Sequence, residues 1–341
     1  MPDILKHRIP VVYTISFCLM AAIATVWLNH LLPGFISSSA SSVTVSEETT
    51  PISSQIKIHR LSGYNYIKPI MFVDTYKKTD RFAPLLQQVE AYISQKKQAA
   101  ILNNASFYLR DIDNLEWTGY NEDETYFPGS LMKVPELISI LRLEEEKPGT
   151  LNKQVFYSEP IYVNKDPEFV SKQLQPGKSY SIKELLRYMI QYSDNNATIL
   201  LDQNLDQRIF NKALTDLELP LPAQGATNYP ISPRSFSLFM RSIYNASYLT
   251  ISHSEYAAEL LSTSEFKEGF AKGFPPSVKM IHKFGEAGNI VEHQLHESGI
   301  VYVNNHPYVL TIMTKGKDLK QLSTVISDLS AIVYGQINTG G

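Results

Sequence analysis

The hydrophobic positions of this chain change period several times, and each change predicts an element. The first block, 9–32, reads IPVVYTISFCLMAAIATVWLNHLL and is apolar almost throughout. A run of roughly 20 such residues spans a hydrocarbon core of about 30 Å, so the block predicts a transmembrane helix. Over 36–51 Ser, Thr, Val and Glu dominate without an aromatic. Such a stretch cannot bury a core and reads as a flexible tether. Globular patterning begins near 58. Apolar residues at helical spacing predict a helix over 82–99, and two β-like runs, 106–110 and 115–120, predict a hairpin turning at 111–114. A helical block follows from Gly129-Ser130 to about 146, closed by Pro148-Gly149. Further helices are predicted at 182–192, 196–202, 207–216, 233–244 and 254–262. Beyond Pro275-Pro276 the period shortens, predicting strands at 278–284, 294–303 and 308–314 and a closing helix over 319–334.

The expected organisation is therefore a short tail (1–8), a membrane segment (9–32), a linker (33–57) and one large domain (58–341). The order of elements in that domain predicts an α+β sandwich: one antiparallel sheet built from both ends, flanked by the terminal helices, with an all-helical lobe inserted between. A cleft is expected where lobe meets sheet.

Charge sets the orientation of the first segment. Lys6, His7 and Arg8 precede it, and no Lys or Arg follows until Lys57. That asymmetry places the N-terminus in the cytoplasm and the domain outside, held at the membrane by a signal anchor. The alternative is a secreted domain released by cleavage near Ser38-Ser39-Ala40, though the apolar run exceeds the roughly 7–15 residues of a signal h-region. Across the 341 residues, 31 basic and 34 acidic side chains give a net charge of −3, so phosphate-neutralising nucleic-acid binding is excluded as a function class. A single cysteine, Cys18, excludes an internal disulfide framework and a cysteine-based zinc cluster. His282, His293, His296 and His306 show no ligand spacing, and neither a metal nor another cofactor is expected.

Three short motifs carry chemistry. Ser130-Leu131-Met132-Lys133 puts a hydroxyl and an amine on one helix face. A desolvated lysine there can accept the serine proton, and the serine's own N–H can help bind an oxyanion. The same spacing recurs at Ser54–Lys57, Ser94–Lys97 and Ser264–Lys267, so alone it says little. Ser193-Asp194-Asn195 occurs once, between two helices, where a plain N-cap is the competing explanation. Lys283-Phe284-Gly285 ends a strand pattern, with Gly285 open to close backbone approach.

Taken together and in this order, the motifs resemble those of the serine penicillin-recognising superfamily, specifically class A β-lactamase-like serine hydrolases, over roughly 82–334. The resemblance implies Ser130 as the acyl-accepting nucleophile and Lys133 as its base or proton relay. Ser193 would pass a proton to the leaving nitrogen, and Asn195 would bind a substrate amide carbonyl. Lys283 would hold Ser193 and attract an anionic group. The N–H groups of Ser130 and Glu286 would form the oxyanion hole, Phe284 and Gly285 would border the substrate, and Asp194 would brace its loop. The implied substrate is a β-lactam or a peptidoglycan-type amide.

Two departures stand out. Phe284 replaces the usual hydroxyl residue of Lys-Thr-Gly, and Glu286 adds negative charge nearby; Glu286 could instead pair with Lys133 or Lys283. The loop 217–232 is about a dozen residues shorter than the family pattern and lacks its deacylating glutamate. Glu218 sits too early in that loop, and Glu286 is a second candidate for the task. These departures leave open a penicillin-binding, D,D-peptidase-like protein with slow deacylation, or a non-catalytic cell-wall-binding module on the same fold.

Overall fold

The computed structural model describes residues 56–75, 77–161, 168–169, 172–223, 229–304 and 306–339. The expected tail, membrane segment and all but the last two linker residues lie outside them. Among the described residues no helix is long and apolar enough to cross a membrane.

Two strands that the hydrophobic pattern did not predict come first, β1 (Ile56–Arg60) and β2 (Ile70–Thr75), paired antiparallel. The first described strand thus begins inside the expected linker. Helix α1 (Ala83–Gln98) buries Leu85, Val89 and Ile93, one four-residue row. Full burial of each such side chain stabilises by about 1.5–3 kcal/mol. Strands β3 (Leu102–Asp111) and β4 (Trp117–Tyr120) form the predicted hairpin. Its turn is fixed locally, because the Asp111 carboxylate accepts the N–H groups of Asp113 and Asn114 at 3.0 Å each.

A short 3₁₀ turn, Gly129–Met132, leads into α2 (Lys133–Glu146) and the inserted lobe. The lobe is not all-helical as expected. Strands β5 (Gln154–Tyr157) and β6 (Lys178–Ser181) pair within it before α3 (Ile182–Gln191), α4 (Asn195–Asp202), α5 (Gln207–Asp216), α6 (Pro233–Tyr244), α7 (Ile251–Ser262) and the single turn α8 (Phe270–Gly273). Helix α3 opens with a reciprocal capping box between Ser181 and Glu184. The chain then returns through β7 (Lys279–Gly288), β8 (His293–Val303), β9 (His306–Gly316) and α9 (Leu319–Thr339).

The main sheet runs β4-β3-β9-β8-β7, antiparallel throughout, so both ends of the domain contribute to it as predicted. Side-chain alternation on β9 separates two cores. Tyr308, Leu310 and Ile312 join α1 and α9 on one face, while Val309 and Met313 join the helical lobe on the other. Strand β7 forms the edge of the sheet and packs against the 3₁₀ turn. That junction is the expected cleft.

β1 and β2 are held by charge. Asp74 lies 3.0 Å from Arg110 Nη1, 2.7 Å from Arg241 Nη2 and 2.9 Å from His59 Nε2. Arg110 and Arg241 also donate to Val73 O, at 2.9 and 3.2 Å. His59, Arg110 and Arg241 are all buried.

Candidate active site

Two glycines set the site. Gly129 takes a left-handed φ of 53°, and a Cβ there would lie 2.0 Å from Glu286 O. A Cβ on Gly285 would lie 2.1 Å from Pro128 O and 2.7 Å from Leu131 N. The nucleophile turn and β7 therefore meet backbone to backbone, which only glycine permits. Ser130 and Lys133 fall three residues apart where the 3₁₀ turn becomes α2; in 3₁₀ geometry such positions nearly eclipse. Ser130 is half-buried and Lys133 is buried.

The second motif divides its labour. Asp194 caps α4 by accepting the N–H groups of Asn196 (2.7 Å) and Ala197 (3.2 Å), and it also accepts Leu174 N–H at 2.6 Å. The capping reading is therefore right for Asp194. Its neighbours turn into the cleft. Ser193 adopts a left-handed φ of 57°, a conformation costing a non-glycine residue about 1–3 kcal/mol. Strain of this kind persists where surrounding contacts impose it, and here the contacts are two lysines.

Lys133 Nζ donates to Ser193 O (2.6 Å), Ser193 Oγ (3.2 Å) and Asn195 Oδ1 (2.7 Å). Lys283 Nζ donates to the same Ser193 Oγ at 2.9 Å and to Phe284 O at 3.0 Å. Asn195 offers its carbonyl oxygen to Lys133, which leaves its amide N–H groups for the cleft. Burial, opposed by Glu136 and Asp194, holds the Lys133 ammonium down at about 7. Burial and the repulsion of Lys133 push Lys283 well below its ordinary value, against the pull of Glu297. Two ammoniums this close and this dry do not both keep their protons at neutral pH. The hydroxyl on which both lysines converge is Ser193. Among the described residues no hydrogen bond joins Lys133 Nζ to Ser130 Oγ.

Ser130, Ser193, Asn195, Phe284, Glu286 and His293 line one cavity of about 320 Å³. Ser130, Lys133 and Asn195 also line a second, of about 300 Å³. Phe284 is among the residues that border the first. Its ring is buried, stacked on Phe266 (4.3 Å between centroids), with Phe169 edge-on at 6.0 Å and Lys283 Nζ 4.0 Å from its centre. Glu286 makes no ion pair with Lys133 or Lys283. Burial and Glu168 raise its carboxyl while His293 lowers it. Glu218 points elsewhere, pairing with Lys57 and with His59 Nδ1 at 3.2 Å. Of the other Ser-x-x-Lys spacings, Lys57, Ser94, Lys97, Ser264 and Lys267 line neither cavity, and Ser54 lies outside the described residues.

The histidines scatter over separate partners. His282 Nδ1 meets Glu297 at 2.6 Å, His296 Nε2 donates to Phe127 O at 3.0 Å, and His306 Nδ1 lies 3.6 Å from Asp113. Burial lowers His296 to about 3, so it is neutral.

One residue of the site was missed in the sequence. Glu136, on α2 one turn past Lys133, is buried in the second cavity with its Oε1 unpartnered. Its signal was a lone acid in an otherwise apolar stretch of α2 (Val134-Pro135-Glu136-Leu137-Ile138), three residues beyond the lysine.

Comparison with solved structures finds the same architecture. PBP-A superimposes with a TM-score of 0.63 at 22% identity, covering 78% of this chain and 100% of that one. A β-lactamase from Chitinophaga pinensis gives 0.65 at 15% identity, covering 75% and 100%. A PBP-A variant in an acyl-enzyme complex with penicillin G gives 0.61 at 21%, covering 75% and 97%. Comparison with curated protein sequences found no match. The profile of the β-lactamase enzyme family matches residues 84–337, from the first helix to the last, and the chain belongs to that family.

Proposed function

We propose that this protein is a serine hydrolase that forms an acyl-enzyme on Ser130 with a β-lactam or a peptidoglycan-type amide, acting outside the cytoplasm from a membrane anchor at 9–32. The observation that carries the chemistry is the convergence of Lys133 and Lys283 on Ser193 Oγ in the cavity that Ser130 lines. The anchor rests on the length of the apolar block and the basic residues before it.

In this reading Ser130 Oγ attacks the amide carbonyl and its proton passes to neutral Lys133. A turn of the serine hydroxyl completes that contact on substrate binding, since such hydrogen bonds often tighten only in the complex. The N–H groups of Ser130 and Glu286 receive the developing oxyanion, and Asn195 donates to a substrate carbonyl. As the C–N bond breaks, Ser193 hands its proton to the leaving nitrogen and is reprotonated through the lysine pair. Lys283 supplies positive charge for an anionic substrate group. Phe284 offers no hydroxyl for a carboxylate, which favours a cell-envelope amide over rapid β-lactam turnover.

A fluorescent penicillin or fluorophosphonate tests the reading. Labelling of the wild type and not of Ser130→Ala is expected. No labelling of folded wild type by either probe would instead support a binding module on this fold.

A further inference from the structure

The second cavity is lined by Gly129, Ser130, Met132, Lys133, Glu136, Asn195, Thr198, Asp202 and Phe210, so it joins the nucleophile to two carboxyl groups that acyl transfer does not use. At about 300 Å³ it has room for several waters, each occupying about 30 Å³ in the liquid, and Glu136, Asn195, Thr198 and Asp202 on its walls offer polar partners for one. Glu136 is 5% exposed, and its Oε1 has no hydrogen-bond partner. An unsatisfied buried carboxyl is costly, and its most economical partner is a water in the cavity it lines.

We propose that Glu136 is the general base of deacylation, activating a water held between it and Ser130, in place of the loop glutamate that this chain lacks. The proposal rests on Ser130 being the acylated residue. In the step, the water oxygen bonds to the acyl carbon while its proton moves to the Glu136 carboxylate. The bond from that carbon to Ser130 Oγ then breaks, and the proton taken up by Glu136 passes through Lys133 to Oγ, leaving free acid and resting enzyme. Of the other acids, Glu218 is bound to Lys57 and His59, whereas Glu286 lines the first cavity with Ser130 and is the competitor that the test must separate.

Two charged groups act on Glu136. Burial and Asp202 raise its carboxyl well above the ordinary range, and Lys133 lowers it. Burial raises Asp202 as well. On the helices packed against α2, Lys212 pairs with Asp216 and Arg208 with Asp206 on α5, Glu184 caps α3, Arg234 of α6 pairs with Glu122 and Asp123, Arg241 of α6 holds Asp74, and His253 of α7 meets Glu145, while Lys183 and Arg187 of α3 and Glu255 and Glu259 of α7 are exposed. From α5 the cavity receives the Phe210 ring. A base raised in this way is unprotonated to a growing extent as pH rises, so release of the acyl group accelerates with pH.

The test follows the intact mass of the full chain after exposure to penicillin G, over time and across a pH series. Glu136→Gln preserves shape and the neutral form, and it should still take the adduct yet hold it at least about 100-fold longer. Asp202→Asn removes the neighbouring charge and should move the pH profile of release to lower pH. Unchanged release in Glu136→Gln, loss of acylation in it, trapping by Glu286→Gln instead, an unshifted profile in Asp202→Asn, or a wild-type adduct that is never released would each overturn the assignment. A wild type that takes no adduct at all would overturn the Ser130 reading on which it rests.

Discussion

Two buried charge clusters sit in this fold, and they are built on opposite rules. Around Asp74, opposite charges are paired: two arginines and a histidine surround Asp74, Glu218 meets the same histidine, and the arginines spend further donors on Val73 O. Burial would raise the Asp74 carboxyl, but the His59 hydrogen bond and the charges of Arg241 and Arg110 hold it far below the usual range. Around Ser193, two lysines face each other across one hydroxyl, and Glu136 lies nearby with an oxygen unpartnered. Pairing ties β1 and β2 to the domain. The two facing lysines leave groups that exchange protons near neutral pH, which is what acyl transfer needs and what a purely structural cluster avoids.

Breaking the paired cluster should have the largest effect on stability. Arg110→Met leaves Asp74 short of a partner in a buried setting, and removing one partner of such a network costs about 3–5 kcal/mol. Urea unfolding would measure this, and a cost no larger than that of an exposed arginine would refute the structural role. Phe284→Thr comes next. Emptying its place between Phe266 and Phe169 should cost about 3 kcal/mol, read as a fall in Tm, so any gain in β-lactam acylation comes with lower stability.

Removing charge from the lysine cluster should act in the opposite direction. Depression of Lys133 from 10.5 to about 7 corresponds to about 4 kcal/mol opposing folding, of which lost hydrogen bonds return about 1–2 kcal/mol. Lys133→Met should therefore raise Tm while abolishing penicillin labelling. A fall in Tm would show the lysine to be a net stabiliser.

The last effect is a pH dependence with a definite sign. A lysine whose folded-state pKa is lowered carries its proton in the unfolded chain and not in the folded one between the two values. Wild-type stability should accordingly rise, relative to Lys133→Met, from about pH 7 to about pH 10, and stay level below that window. Denaturant midpoints of both proteins across that range would show it, and a constant difference would contradict the lowered value.

Much of this fold was legible because period and burial agree: the row Leu85, Val89 and Ile93 and the alternation of β9 are what packing demands. β1 was illegible because it inverts the rule. Its Ile56 and Ile58 are exposed, and the side chain turned inward is His59, which belongs to a charge cluster assembled from distant strands and helices. β5 hides for a similar reason, with Phe156 exposed and four residues too few to show a period. The motif residues were legible because each adjoins a structural boundary: a turn, a cap or a strand's close approach. Glu136 lies inside a helix, where an acid is ordinarily solvated, and only tertiary packing reveals that this one is not.

The close approach of Gly129 to Glu286 and of Gly285 to Pro128 and Leu131 has a last consequence. Because main chain rests on main chain there, the height of the Ser130 turn above the sheet does not depend on which side chains furnish the cleft. The walls can be recut for another substrate by exchanging Phe284, Glu286 or His293 while the reactive oxygen keeps its address. Adaptation of this enzyme is therefore a matter of upholstery, with two glycines as the fixed frame.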